Sequence, residues 1–457
     1  MAPRLIVAKF GGSSLANGEC IQRVGEIVRS DRARRLVVVS APGAIKSQGI
    51  PKVTDQLIAL GETYRADADL SPGIAQLQAR FADIETSLGQ EGLACRIPEI
   101  VRERLLLTRR YGRLDSLVAL GEELNARLFA QYLDSQDLRV LFLDPARVLP
   151  VSENGFRDAH VLPERFGDIN STLASALSSY DVVIIPGFYG STSYGEIRTF
   201  PRGGSDYTAA IVAAAIGASL HENFTDVDGI RAVDPNLIPD ARRIDVMSLA
   251  ELCELTLDGG FDVFQANAVA PLAEARIPIH LRSTFNLSAL GTHIVPVLPE
   301  PVVRDRIVRG IAYRDKYTTI KIRDYTMGDQ VGVLSRLGQI FARRGISIER
   351  MPSTQITGAV TVRSAAVATH LESILAEIRS IGRNEVEVTE NLGIVSVVGE
   401  GLAASIHALS LLFNRLANNS IPVVRHDGDG ASVTLQIPNG DALRAVQILY
   451  DQFIRGL

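Results

Sequence analysis

The chain has 457 residues, 46% of them hydrophobic and 22% charged, with a formal net charge of −5. That much apolar material suits about two to four domains, and the near balance of charge, without a basic block, excludes a nucleic-acid backbone as the main partner. Three scattered cysteines, Cys20, Cys95 and Cys253, exclude a disulfide framework or a zinc site and point to a reducing compartment. The N-terminus runs into a strand without an apolar signal segment, and the most apolar helical run, residues 209–220, is too short to span a bilayer, so a cytoplasmic protein is expected.

In chain order, residues 5–10 read as a buried strand that closes on Lys9-Phe10-Gly11-Gly12-Ser13-Ser14. Ile21, Val24 and Val28 then recur at helical spacing, and residues 36–40 form a second strand broken at Ala41-Pro42-Gly43. One long helix carries Leu117, Leu120, Leu124 and Leu128 on a single face, followed by strands over 139–143 and 182–187. Arg202-Gly203-Gly204-Ser205-Asp206 opens a helix that runs to Ile216. Aliphatic strands alternating with amphipathic helices predict a mainly parallel sheet covered on both faces, with ligands at the carboxyl ends of its strands. Both glycine loops fall there. Glycine lets backbone N–H groups approach phosphate oxygens, and the following helix turns its positive end to the same anion. Either loop alone is common turn chemistry; the pairing is what points to phosphoryl transfer onto an acidic substrate.

After Thr292 the composition changes. A proline-rich connector, residues 295–301, precedes a weak internal repeat. One copy reads strand 318–322, helix 331–344, strands 346–348 and 359–362, and a helix over 367–381; the second reads 393–398, 403–418, 421–425, 431–437 and 441–453. Both fit a ferredoxin-like β-α-β-β-α pattern.

These motifs resemble the aspartokinase family over essentially the whole chain. Lys9 to Ser14 stands where that family has K-F-G-G-[TS]-S, Gly121-Glu122 matches its G-E helix, Arg202 to Asp206 matches R-G-G-S-D, and Thr225-Asp226-Val227-Asp228-Gly229 matches T-D-V-x-G. The resemblance implies an α/β amino-acid-kinase domain of carbamate-kinase-like type over 1–298, then two ACT domains over 299–390 and 391–457. It also implies phosphorylation of the side-chain carboxylate of L-aspartate by ATP with Mg²⁺, in a homodimer or larger assembly, under feedback by an amino acid, lysine or threonine, at the ACT domains. The alternative is a homologue that keeps the substrate half and acts as an amino-acid sensor.

A carboxylate is already nucleophilic, so the task is to bring two anions together and stabilise a loose transition state. Lys9 is the candidate cation for the γ-phosphoryl group, with the N–H groups of Gly11 and Gly12, and Ser13, completing a cradle. Arg202 would clamp the substrate α-carboxylate and Glu122 its ammonium, although the adjacent Glu123 is an equally plausible carboxylate by chemistry alone. Asp206 either orients Lys9 or Mg²⁺ or merely caps its helix. By resemblance, Ser40, Thr54 and Ser205 would line the aspartate site, and Thr225, Asp226 and Arg231 would meet the nucleotide. His221, His280 and His293 lack metal-ligand spacing and read as structural residues. The loop from Met327 to Gly332 would present unpaired N–H groups to an effector carboxylate, with Glu349 at the end of the next strand and Ser353 and Thr354 nearby. The nucleotide half departs from the family. Asp262 stands where many members carry lysine, with Gln265 close behind it, and Asn236 and Arg231 replace an arginine and an aromatic. Either Arg231 supplies the missing charge or Asp262 points away.

Overall fold

The computed structural model describes residues 4–153, 155–257, 264, 266–300, 302, 306–381 and 385–456. The chain divides into two compact units: one of Met1–Ile230, Arg243–Leu249 and Asp262–Val297, the other of Arg231–Arg242, Ala250–Phe261 and Leu298–Leu457. Among the described residues no helix is long and apolar enough to cross a membrane.

The first unit is built on an eight-stranded sheet. Strand β1 (Ile6–Phe10) is buried at every position, and helix α1 (Gly18–Arg29) follows, its first turn capped by the Asn17 side chain accepting from Cys20 N–H at 2.9 Å. Strand β2 (Arg34–Val39) precedes four helices, α2 (Val53–Arg65), α3 (Ser71–Leu88), α4 (Ile97–Tyr111) and the short α5 (Asp115–Val118). Helix α6 (Leu120–Asp134), β3 (Val140–Phe142), α7 (Phe166–Ser179) and β4 (Val182–Pro186) come next. A hairpin, β5 (Tyr189–Ser191) and β6 (Ile197–Thr199), leads into α8 (Gly204–Ile216), then β7 (Leu220–Thr225), β8 (Val246–Ser248), α9 (Leu249–Leu257), which from Ala250 onward belongs to the second unit, and α10 (Ala266–Glu274), β9 (Ile279–Ser283) and β10 (Thr292–Val295) of the first. The order across the sheet is β3-β4-β2-β1-β7-β9-β10-β8, parallel throughout except for β10 against β9. Ile21, Val24 and Val28 of α1 share one core with Leu124 and Leu128 of α6, as their spacing predicts.

The single long helix expected around Leu117 to Leu128 is two. Ala119 ends α5 and precedes α6 with right-handed helical angles (φ −62°, ψ −19°), so the hydrogen bonding shifts there without any breaker residue.

The second unit carries a five-stranded antiparallel sheet: β11 (Gly310–Arg323), β12 (Thr357–Arg363), β13 (Glu385–Val398), β14 (Arg425–Asp429) and β15 (Ser432–Pro438), in the order β12-β11-β13-β15-β14. Strands β11 and β13 each run 14 residues and serve both repeats. The second half of β11 lies between β12 and β13, whereas Gly310 to Arg314 pairs with Ile394 to Val398, the stretch of β13 that also pairs β15. Two expected strands are corrected. Residues 346–348 form none, because Ile346 turns into the helix core by donating to Phe341 O, and pairing to Thr361 begins only at Glu349 and Arg350. The strand expected over 421–425 starts at Arg425 instead.

Candidate active site

Register places the carboxyl ends of four parallel strands side by side. Phe10 is level with Val39 on one side and Phe224 on the other, and Val39 is level with Pro186. The loops that leave these strands, at Gly11, Ser40, Gly187 and Asp226, therefore open at one edge. Stacked rings of Phe10 and Phe224, with centroids 4.7 Å apart, fix the centre of that edge from below.

Helix α8 enters it from the β5–β6 hairpin. Gly203 is its N-cap at φ 78°, a left-handed angle that favours glycine, and no side chain caps the helix. Asp206 is the third helical residue and is not a cap: its carboxylate takes the Lys9 ammonium at 2.7 Å and the Asn223 amide at 3.0 Å. Lys9 is only 7% exposed, so this ion pair is desolvated and Asp206 determines where the ammonium points. The two glycine loops are thus joined by one charge pair.

The glycine cradle differs from expectation. Gly11 donates its N–H to Phe224 O at 3.2 Å, extending the β1–β7 ladder by one bond, so that amide is already engaged. Gly12 accepts from Gly43 N–H at 2.8 Å, and a Cβ on Gly43 would stand 2.5 Å from Gly12 O. The loops after β1 and β2 are therefore packed backbone to backbone. Ser13 begins a short 3₁₀ turn and is half-buried.

Glu122 and Glu123 separate cleanly. Glu123 is held by Arg104 at 2.6 Å and Arg127 at 2.9 Å, a structural ion-pair cluster. Glu122 is 5% exposed; it accepts the backbone N–H of Ala41 and its own, and among the described residues its Oε2 is buried without a partner. Burial pushes its carboxyl up to about 8, against the smaller opposing effects of those hydrogen bonds and of the Arg157 charge. A buried carboxylate oxygen with no donor is costly alone and suits an incoming ammonium.

Around it, Ser40 follows β2 and is half-buried, its carbonyl held by Asn125 at 2.7 Å; Thr54 is the second residue of α2 and half-buried. Ser205 is buried against Gly187, where any Cβ would come within 2.5 Å of it. Arg202 sits exposed on the turn before α8. At the end of β7, Thr225 donates to Asp226 Oδ1 at 3.1 Å, and Asp226 is exposed. Arg231 donates to Ala241 O at 3.2 Å in the second unit, and Asn236 closes an Asx turn on Asp234 at 2.9 Å. Asp262 and Gln265 lie outside the described residues. Sequence reasoning missed Asn223, Ala41 and Phe188; the last, at φ 80°, packs its ring on Gly204.

His221 is buried in β7 beside β1, with Nδ1 3.2 Å from Val7 O, and burial lowers it to about 4; His280 and His293 stack on each other.

In the second unit, Met327 is buried in a 3₁₀ turn, and Gly332 at φ 83° caps the helix Val333–Ala342. The amides of Met327, Asp329 and Gln330 donate to Asp324, Thr326 and Met327 carbonyls, so this loop is more self-satisfied than expected. Glu349 sits at a bend and not at a strand end, paired with Arg314 at 3.1 Å and Arg363 at 3.5 Å. Ser353 bridges Gly358, and Thr354 closes a turn on Thr357.

Residues 4–283 match the model of the amino acid kinase family. Aspartokinase 3 of Bacillus subtilis is 32% identical over 99% of this chain and 99% of its own. Among solved structures, aspartate kinase of Clostridium acetobutylicum superposes with a TM-score of 0.83 at 27% identity, covering 99% of this chain and 100% of its own. Aspartokinase III of E. coli, in complex with aspartate and ADP, gives a TM-score of 0.75 at 26% identity, over 98% of this chain and 99% of its own. The same E. coli enzyme is also known in complex with lysine and aspartate, with a TM-score of 0.72 at 27% identity, over 98% and 99%.

Proposed function

The chain belongs to the amino acid kinase family and, within it, to the aspartokinases, and on that footing we propose how its residues carry out the reaction. The protein transfers the γ-phosphoryl group of ATP to the side-chain carboxylate of L-aspartate. A carboxylate oxygen attacks phosphorus, the bond from the γ-phosphorus to the β–γ bridging oxygen breaks with its electrons leaving on ADP, and 4-phospho-L-aspartate results. No proton moves, so no general base is needed.

The observation that carries the reading is the Lys9–Asp206 pair at 2.7 Å, set at the same sheet edge as the unpartnered Oε2 of Glu122. Glu122 takes the substrate ammonium, Arg202 its α-carboxylate, and Ser40, Thr54 and Ser205 complete the site. The side-chain carboxylate is then directed to Lys9, whose charge screens the approach of two anions and follows the charge that develops on the transferring oxygens. Gly12 and Ser13 border the phosphates, and Thr225 and Asp226 lie where the nucleotide enters. Mg²⁺ would arrive with the nucleotide, held by phosphate oxygens and the exposed Asp226 carboxylate, and would neutralise phosphate charge.

Regulation belongs to the second unit. An amino-acid effector, lysine or threonine, would bring its carboxylate to the amides of residues 327–332 that the turn leaves over, and its ammonium would compete with Arg363 for Glu349. Ser353 and Thr354 border the same segment. Effector binding would act across a homodimer by shifting populations.

The test is ADP release coupled to a reporter, with L-aspartate and Mg-ATP, glutamate in parallel, and lysine or threonine titrated. Aspartate-dependent turnover is expected. Nucleotide and aspartate binding without turnover would favour the sensor alternative.

A further inference from the structure

Arg157 lies in the loop between Val151 and Val161, outside every motif identified above. Its backbone sits at φ 56°, in the left-handed region that a side-chain-bearing residue adopts at a cost, and such outliers persist where the surroundings over-determine them. The loop around it is closed by Ser152 N–H to His160 O at 2.8 Å, and Ala159 N–H is tied to Thr199 O, at the end of β6, at 3.2 Å. From there the guanidinium lies over the Phe188 ring, 5.7 Å from its centroid, and Phe188 in turn packs on Gly204 at the start of α8. Among the described residues no carboxylate stands within ion-pair distance of Arg157, and its charge is the smallest of the effects acting on the Glu122 carboxyl.

Phe188 follows the carboxyl end of β4 by two residues and packs on the first residue of α8, so this shelf sets the guanidinium beside the Arg202–Asp206 turn, at the sheet edge that Glu122 shares. The ammonium and carboxylate of an α-amino acid are attached to the same carbon, so a substrate whose ammonium sits on Glu122 Oε2 presents its α-carboxylate close by, to the cations at that edge. We propose that Arg157 is a substrate-binding residue that reads the α-carboxylate, so that this end of the substrate is held by two arginines, Arg157 shelved on Phe188 and Arg202 on the α8 turn. This rests on the aspartate kinase reading above. A planar guanidinium stacked on a ring keeps its edge N–H donors free for a carboxylate, which a lysine at the same place would not reproduce.

The test uses the full-length enzyme with L-aspartate and with L-isoasparagine, whose α-carboxylate is an amide while its side-chain carboxylate is intact. Arg157→Gly is the main variant, because glycine removes the guanidinium and suits the left-handed backbone, so loss of folding does not confuse the result. KM for aspartate is expected to rise about tenfold or more, the usual effect of losing a charged hydrogen bond, with kcat and KM for ATP nearly unchanged. The preference for aspartate over isoasparagine should shrink by a similar factor. Arg157→Lys should rescue only in part. An equal loss for both substrates, or no loss for either, overturns the proposal and leaves Arg157 a loop residue. A wild type that binds aspartate calorimetrically but does not release ADP overturns the kinase reading instead, and calorimetry with the two amino acids then tests Arg157 by the same ratio.

Discussion

Removing the charge of Lys9 should act on catalysis and on folding together, because the ammonium is also the desolvated partner of Asp206. Lys9→Met should lower kcat by about 10²–10³, the usual effect of losing a positioned electrostatic group. It should also destabilise the fold by about 3 kcal/mol, since among the described residues the Asn223 amide is the side-chain partner left to Asp206. Adding Asp206→Asn to that variant should restore most of the thermal midpoint and none of the activity. Recovery of activity in the double variant would remove Lys9 from the chemistry. Glu122 gives a second test through pH. Its carboxyl is raised from 4.5 to about 8 by burial, so between those values the folded protein holds a proton that the unfolded chain has released. The stability this group contributes is therefore fully present below 4.5 and is lost as the pH rises to about 8. Glu122→Gln should flatten that slope in thermal melts between about pH 5 and 8.5. In the wild type, aspartate binding near pH 7 should release protons, seen in calorimetry in two buffers of different ionisation heat; uptake or no exchange would mean that the ammonium does not sit on Glu122.

At the scale of elements, much was legible because the signals are local. Aliphatic runs such as Leu36 to Val39 and Val182 to Ile185 can only be buried strands, and glycines at 203 and 217 bracket α8 with left-handed angles. Where the deciding partner is distant, the sequence is silent. Consecutive residues on a helix point about 100° apart, so one of Glu122 and Glu123 had to face away, but which one depends on Arg104 in α4. The same is true of residues 346–348, whose apolar alternation fits a strand until Phe341 O takes the Ile346 N–H. Arg157 carries no local signal at all, since its role arises from a backbone angle and from Phe188. The join between β4 and α8 is the element contact most exposed to test. Gly187→Ala places a methyl within 2.5 Å of Ser205, so α8 must shift; about 1–3 kcal/mol of stability should be lost. KM for aspartate should rise at the same time, and an unchanged KM would show that the start of α8 does not set the substrate site.

For the molecule as a whole, the second unit is discontinuous in sequence. Ala232 O takes the Ile311 N–H at 2.6 Å, Arg242 N–H donates to the Tyr450 hydroxyl at 2.9 Å, and Glu251 takes the Glu400 N–H at 2.9 Å. A fragment of residues 299–457 lacks Ala232, Arg242 and Glu251. Its Ile311 amide should exchange with deuterium much faster than in the full chain, while amides paired between β13 and β15 keep their protection. Equal protection of Ile311 in both would show that segment 231–242 adds nothing to the unit.

The central claim is that Lys9 and Glu122 direct the side-chain carboxylate, and not the α-carboxylate, of aspartate to the γ-phosphoryl group. Acyl phosphates react with hydroxylamine, so incubating the enzyme with L-aspartate, Mg-ATP and hydroxylamine and separating the hydroxamates reads the phosphorylated position directly. The β-hydroxamate alone is expected, formed in step with ADP and lost in Lys9→Met. Accumulation of the α-hydroxamate, or ADP release without any hydroxamate, would contradict it.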